Sequence, residues 1–232
     1  MKISFGGYDR KLIQRILLVG FTPFIIIAVD NVMIISMNSV LQTYGGPGEG
    51  DMLITCATIV QSFMLVITMP LGGITGGTQT ILAFNYGAGQ PDRVKKAQRF
   101  IFLLSAGYTT ILFILAQTAG HIFVRLFTSD PALIAEAAKT IKIYTLAVIP
   151  LSIQYVIVDG FTGLGKVQLS LPLSFFRKLV YFLPLFLLPR FFGARATFYA
   201  EPISDIIAPV VSIFIYAVAM KRILKKPVIP NF

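Results

Sequence analysis

The sequence predicts an all-α integral membrane protein built as a bundle of six transmembrane helices. The chain of 232 residues is 56% hydrophobic and has a mean hydropathy of +0.79. One soluble core of this size cannot bury so much apolar surface. Six apolar segments are long enough to cross a bilayer, and the Lys and Arg residues are divided unequally between the two sides of these segments.

The six apolar segments alternate with short connections. A membrane helix needs about 20 mostly apolar residues. Connections such as TYGGPGEGD, NYGAGQPDR and FTSDPAL contain the Gly, Pro and Asp residues at which helices end. The predicted spans are 12–41, 52–84, 100–127, 141–161, 169–188 and 197–220.

The basic residues predict the orientation of the bundle. Thirteen of the 20 Lys and Arg residues lie on the side that holds both termini and the second and fourth connections, five lie on the other side, and two lie within the fifth span. Because cytoplasmic loops carry the excess of Lys and Arg, both termini are expected in the cytoplasm. The segment DRVKKAQR belongs to this cytoplasmic set.

Several classes of function are disfavoured by the same residues. The net charge of +10 does not indicate a nucleic-acid partner, because the basic residues form short clusters between apolar runs rather than one exposed face. We find no P-loop, no nucleophile–base motif and no metal-ligand spacing, so neither an enzyme nor a metal site is expected. Cys56 is the single cysteine, which leaves no intramolecular disulfide.

Polar side chains recur at helical spacing within the spans, which predicts a polar face on each helix, directed at its neighbours or at a watery cavity. Hydrogen bonds between helices, worth about 1 kcal/mol or less each, explain most of these residues. The candidate cavity-lining residues are Asn38, Gln61, Gln79, Tyr155, Arg177, Tyr181 and Asp205.

Charged residues within the spans carry more information. An Asp at mid-span costs about 2.5–3.5 kcal/mol on insertion, so it is usually paired, neutralised or functional. Asp30 lies near the middle of the first span and lacks a basic partner on its own helix, so we take it as the main ion-responsive residue. Asp159 lies near the cytoplasmic end of its span, where water can solvate it. Arg177 and Asp205 are expected either to form a structural ion pair or to contact substrate.

The stretch PLGGITGGTQT in the second span combines Pro70 with Gly72, Gly73, Gly76 and Gly77. Two interpretations stay open. Gly72 and Gly76 have the GxxxG spacing of close helix packing. Alternatively, Pro70 and the glycines form a bend that lets the helix line a cavity and move during transport.

Five landmarks together resemble the multidrug and toxic compound extrusion (MATE) family of transporters. They are FNYGAGQPDRVKKAQR, NSVLQTYGG, LFTSDPALI, GLGKVQLSLPLSFFRK and EPISD. They occur in the order expected for the family and cover nearly the whole chain.

The resemblance implies one lobe of a twelve-helix transporter of the cell membrane. Members have two six-helix lobes, and the landmarks match the second. Residues 1–11 are then the cytoplasmic end of the inter-lobe connection, 12–222 the lobe, and 223–232 a cytoplasmic tail. The expected partner is the first lobe, within the same full-length chain.

The resemblance also implies efflux of organic cations or amphipathic drugs in exchange for H⁺ or Na⁺, by rocking of the two lobes and with no cofactor besides the coupling ion. An acidic cation-site residue of some members falls at Asp30 or Asn31. A second acidic position is matched only in part by Asp159, which lies close to GLGK.

Two alternatives to drug efflux stay open. A flippase for a lipid-linked precursor belongs to the same superfamily and needs inward cations for a phosphate headgroup, of which Arg177 is the one candidate. An accessory membrane subunit without transport would explain the half length but not the polar faces.

Overall fold

The computed structural model describes the backbone of residues 10–225 and the side chains of residues 10, 13 and 27–225. Every regular element in this part of the chain is helical, which confirms the predicted all-α class. The elements are α1 (Arg10–Gly77), α2 (Gln79–Gly87), α3 (Pro91–Val124), α4 (Pro131–Tyr144), α5 (Val148–Gly163), α6 (Val167–Phe192), a 3-10 helix (Ala194–Tyr199) and α7 (Ala200–Ile223). The predicted inter-lobe segment and C-terminal tail lie mostly outside the described residues.

Helix α1 turns back on itself in its middle. Gly46 and Gly48 adopt φ angles of 63° and 89°, in the left-handed region that favours glycine. A Cβ atom added to Gly45 would lie 2.8 Å from the Cα atom of Gly50. Residues five apart advance about 7.5 Å along the axis of a continuous helix. The chain therefore reverses here, and α1 consists of two arms, residues 10–45 and 49–77.

Counting these arms separately gives six membrane-crossing helices. Within the described residues, four helical stretches are long and apolar enough to cross a membrane, and a fifth forms when α4 and α5, bent by 49°, are taken as one broken span. The first of the four stretches contains the reversal in α1, so it contributes two crossings. The six predicted spans correspond to these crossings in order, and the fourth differs from prediction in being bent.

Local sequence explains where α3 and α4 begin. Both start with a proline, Pro91 and Pro131, whose fixed φ suits the first helical position. Asp130 caps α4 by accepting a hydrogen bond of 2.9 Å from the backbone N–H of Ala132. The SDP and QPD motifs of the sequence thus set the starts of these helices.

The bundle is apolar on both its inside and its outside. The buried core includes Met37, Leu41, Leu53, Ile141, Leu151, Phe161, Leu185 and Phe198. Large hydrophobic side chains that are well exposed include Met69, Phe84, Phe100, Leu126 and Phe214. An apolar exterior of this extent suits contact with lipid.

The structure contradicts one of the two interpretations predicted for the glycine-rich stretch of α1. The helix continues through Pro70 and all four glycines to Gly77, and Thr78 separates it from α2. A Cβ atom added to Gly72, Gly73, Gly76 or Gly77 would meet nothing within 4 Å. Close packing through these glycines is therefore wrong for this lobe. The GxxxG spacing indicates a helix face of small residues, but it does not indicate whether another helix packs against that face.

Candidate functional site

An arginine of α6 joins two carboxylates of α7 inside the bundle. The Nη1 atom of Arg177 lies 3.2 Å from Oε1 of Glu201 and 3.0 Å from Oδ1 of Asp205. The side chain of Asp205 is 1% exposed and that of Arg177 is 16% exposed. The predicted ion pair between Arg177 and Asp205 is confirmed. Glu201 was missed from the sequence because it lies at the start of its span, where a carboxylate can be solvated.

Lys178, the next residue of α6, contacts the first arm of α1, whereas Arg177 contacts α7. Lys178 forms an ion pair with Asp30 on the first arm of α1. The side chain of Lys178 is 5% exposed, whereas that of Asp30 is 46% exposed. The sequence predicted no basic partner for Asp30 on its own helix, and the structure provides one from α6. Its partner Lys178 lies on another helix, 148 positions later in the sequence. A search of the helix that contains Asp30 cannot find it.

These five residues, Asp30, Arg177, Lys178, Glu201 and Asp205, form what we call the ionic cluster. Three carboxylates face two cations, so the cluster has one formal negative charge in excess. Removing a charge from water costs several kcal/mol unless it is paired. The excess charge makes the cluster a site that favours an additional cation.

Tyrosines surround the ionic cluster. The hydroxyl of Tyr144 donates a hydrogen bond of 3.4 Å to Oε2 of Glu201. Tyr155 and Tyr181 lie close enough to Arg177 to interact with its charge. The structure thus brings both predicted cavity-lining tyrosines to the same place as the charged residues.

A separate polar site lies near the other end of the bundle. Asp159 on α5 accepts hydrogen bonds from the Thr75 hydroxyl at 2.5 Å and from the Gln79 side-chain amide at 3.1 Å. Its side chain is half-buried, so hydrogen bonds from the protein stabilise this carboxylate in addition to the solvation predicted for it. The residues that bind it lie on α1 and α2.

Asp159 does not join the ionic cluster. It is four residues from the last residue of α5, or about 6 Å along the helix axis, whereas Lys178 is eleven residues into α6, or about 16 Å. Because these two helix ends meet in one short turn, the two sites differ in depth by about 10 Å.

The remaining predicted residues lie on α1. Asn31 is exposed and donates a hydrogen bond from its side chain to the carbonyl of Ile27 at 2.9 Å. Asn38 and Gln61 are half-buried, one on each arm. Among residues 10–225, no group of three or more His, Cys, Asp and Glu side chains could hold a metal ion.

Known proteins similar in sequence are membrane transporters. The sequence model of the MatE family matches residues 26–188. The chain is 21% identical over 206 residues to the multidrug export protein MepA of Staphylococcus haemolyticus, covering 89% of this chain and 44% of that protein. It is 25% identical over 151 residues to an FAD transporter of Shewanella oneidensis, covering 65% of this chain and 33% of that protein.

Solved structures share the fold. An outward-facing conformation of a multidrug resistance MATE family transporter superposes with a TM-score of 0.84 at 15% identity, covering 97% of this chain and 50% of that one. An inward-facing conformation gives 0.82 at 16% identity, with 95% and 50% covered. A MOP superfamily transporter from Pyrococcus furiosus gives 0.82 at 17% identity, with 95% and 49% covered.

The chain thus spans half or less of the length of these proteins. The match of the family model extends from the first arm of α1 into α6, so it includes Asp30, Asp159, Arg177 and Lys178. Because this match covers well over half of the sequence, the chain belongs to the MatE family of membrane transporters.

Proposed function

We propose that this chain is the C-terminal six-helix lobe of a secondary active transporter that exports organic cations or amphipathic drugs in exchange for H⁺ or Na⁺. The observation that carries the proposal is the ionic cluster, in which carboxylates outnumber cations inside a membrane bundle. Ionisable residues at such depth usually belong to substrate or ion pathways. The multidrug export of the MepA relative supports drug efflux over other cargo.

The partner in this proposal is a first six-helix lobe in the same polypeptide. Relatives about twice as long support this arrangement, and residues 1–11 would end the connection between lobes. The two lobes would rock between outward and inward openings around a central cavity. The count of basic residues supports cytoplasmic termini, and a cell membrane is the proposed location.

Asp30 is the proposed contact for an arriving cation. Its side chain is half-exposed while that of Lys178 is buried, so a cation can approach the carboxylate from the side opposite the lysine. Such a cation competes with Lys178 for Asp30. Binding that differs between two conformations shifts their populations, which is the thermodynamic requirement for coupled transport.

The test is accumulation of ethidium in cells that express a full-length transporter containing this lobe. We expect less retained dye than in cells with an empty vector, and we expect export to depend on an ion gradient. Equal retention at good expression would contradict the efflux proposal. Asp30→Asn should abolish ion-driven export, whereas Asp51→Asn, the same change at an exposed residue near the start of the second arm of α1, should leave export unchanged.

A second candidate is transport of an anionic compound, such as a lipid-linked precursor. Arg177 and Lys178 place two cations side by side on α6, one more than the sequence analysis assigned to the interior, and one relative is an FAD transporter. The excess of carboxylates around these cations ranks this candidate second. Export of FAD or of a lipid-linked phosphate by the same cells, without export of ethidium, would favour it.

A further inference from the structure

Glu201 and Asp205 are held unusually close for two buried carboxylates. They lie one turn apart on α7, and both accept a hydrogen bond from the same nitrogen of Arg177. Their accepting oxygens are therefore within about 6 Å of each other, a distance at which like charges in a protein interior repel strongly. One guanidinium cannot neutralise two carboxylates.

Of the other groups near this pair, Lys178 brings positive charge close to Glu201, but its ion pair with Asp30 offsets that charge. The elements packed against α7 are α4, α5, α6 and the 3-10 helix. The facing groups are Tyr144 on α4, Tyr155 on α5, and Arg177, Lys178 and Tyr181 on α6, with Asp30 on α1 beyond Lys178. The one charged residue of the 3-10 helix, Arg195, pairs instead with Glu49 and Glu136.

We propose that Glu201 and Asp205 hold one exchangeable proton between them, and that this proton site is a second ion-responsive element of the lobe, besides Asp30. Its role in coupling rests on the proposed function, whereas the presence of the proton does not. A proton removes the excess charge and needs only one carboxylate lone pair. A metal ion would need several oxygen ligands and would lie against the Arg177 guanidinium, so the geometry favours the proton.

The two carboxylates differ in their access to solvent. The side chain of Glu201 is 12% exposed and that of Asp205 is 1% exposed. The Tyr144 hydroxyl also lies at the second oxygen of Glu201. Glu201 is therefore the carboxylate through which the proton enters and leaves.

Protonation changes how firmly α6 is joined to α7. With the proton bound, Arg177 faces one anion and one neutral carboxylic acid. Without it, Arg177 bridges two anions that repel each other. Each state has its own balance of attraction and repulsion between the two helices, which is the property that a proton-driven conformational change requires.

Infrared difference spectroscopy of the purified chain in lipid vesicles tests the proposal. At neutral pH we expect the carbonyl stretch of one protonated carboxylic acid. Glu201→Gln and Asp205→Asn should each abolish the band, because neutralising one carboxyl leaves the other ionised beside Arg177. Asp51→Asn is the matched control and should retain it. No band in the wild-type protein, a band that survives both α7 substitutions, or a band lost in Asp51→Asn would overturn the proposal.

Thermal unfolding of the same variants shows whether a lost infrared band reflects loss of the shared proton or loss of folding. Each single substitution mimics the protonated pair, so its Tm should match the wild type. The double variant Glu201→Gln, Asp205→Asn leaves Arg177 without an anion and should unfold at a lower temperature. A single substitution that prevents folding would show that both carboxylates must be charged and would overturn the proposal.

The infrared experiment is independent of transport. A missing band with intact ion-driven export overturns the shared proton alone. A band that behaves as expected, together with no ethidium export, overturns the efflux function alone.

Discussion

Burial should decide the energetic importance of two arginines that have similar contacts. Arg177 and Arg195 each lie 3.0–3.3 Å from two carboxylates. The side chain of Arg177 is 16% exposed, whereas that of Arg195 is 53% exposed. Replacing each by Gln removes one cation from a comparable arrangement, so the pair separates the effect of burial from the effect of geometry.

The structure predicts very different costs. Arg177→Gln leaves Glu201 and Asp205 buried without their cation, and removing one partner of a buried ion pair typically costs about 3–5 kcal/mol. Arg195→Gln breaks pairs with Glu49 and Glu136 in which the arginine is half-exposed, and ion pairs that solvent can screen are worth about 0–1 kcal/mol. We therefore expect Arg177→Gln to lower the free energy of unfolding several times as much as Arg195→Gln does.

The assay is unfolding of the purified chain in mixed micelles with a rising fraction of dodecyl sulfate, followed by far-ultraviolet circular dichroism. A variant that combines Arg177→Met with Glu201→Gln and Asp205→Asn should regain much of the loss, because it leaves no buried charge without a partner. Equal losses for Arg177→Gln and Arg195→Gln would refute the reasoning that burial sets the cost.

Two further predictions concern packing and orientation. Gly160→Ala should lower the free energy of unfolding by about 1–3 kcal/mol, because the new Cβ would lie 2.5 Å from the buried Gln98 amide and displace its hydrogen bond. Gly76→Ala, which meets open space, should leave that free energy unchanged or raise it by about 0.5–1 kcal/mol; equal effects in the same unfolding assay would contradict this account. A cysteine at Lys95 should react with a membrane-impermeant thiol reagent only from the cytoplasmic side, with little background from buried Cys56, and labelling from outside would reverse the proposed orientation.

The helices could be predicted because their signals are local. Apolar runs of the right length, and prolines and glycines at their ends, determine where the chain crosses and turns. The bend at residues 145–147 was not foreseen, although Pro150 near the start of α5 gives a local reason for it. Proline lacks the N–H that would bond to the carbonyl of Leu146, and its ring clashes with that carbonyl, so a continuous helix is broken at this point.

The site was predicted only as far as helical faces allow. Arg177 and Asp205 lie on successive spans at similar depth, so their pairing could be foreseen. Pairing of Lys178 with Asp30 depends on how α6 and the first arm of α1 are rotated toward each other. Spacing along one helix contains no information on that rotation. For the same reason, the donors that bind Asp159 could not be found from the sequence.

The adjacent positions of Arg177 and Lys178 also have a mechanical consequence. Successive side chains of an α-helix point about 100° apart, and these two bind α7 on one side and α1 on the other. Rotation of α6 about its own axis that brings one side chain closer to its partner carries the other away. The helix is therefore held against twisting in either sense by opposed electrostatic restraints. Rotation of α6 therefore changes its contacts with α1 and with α7 at the same time.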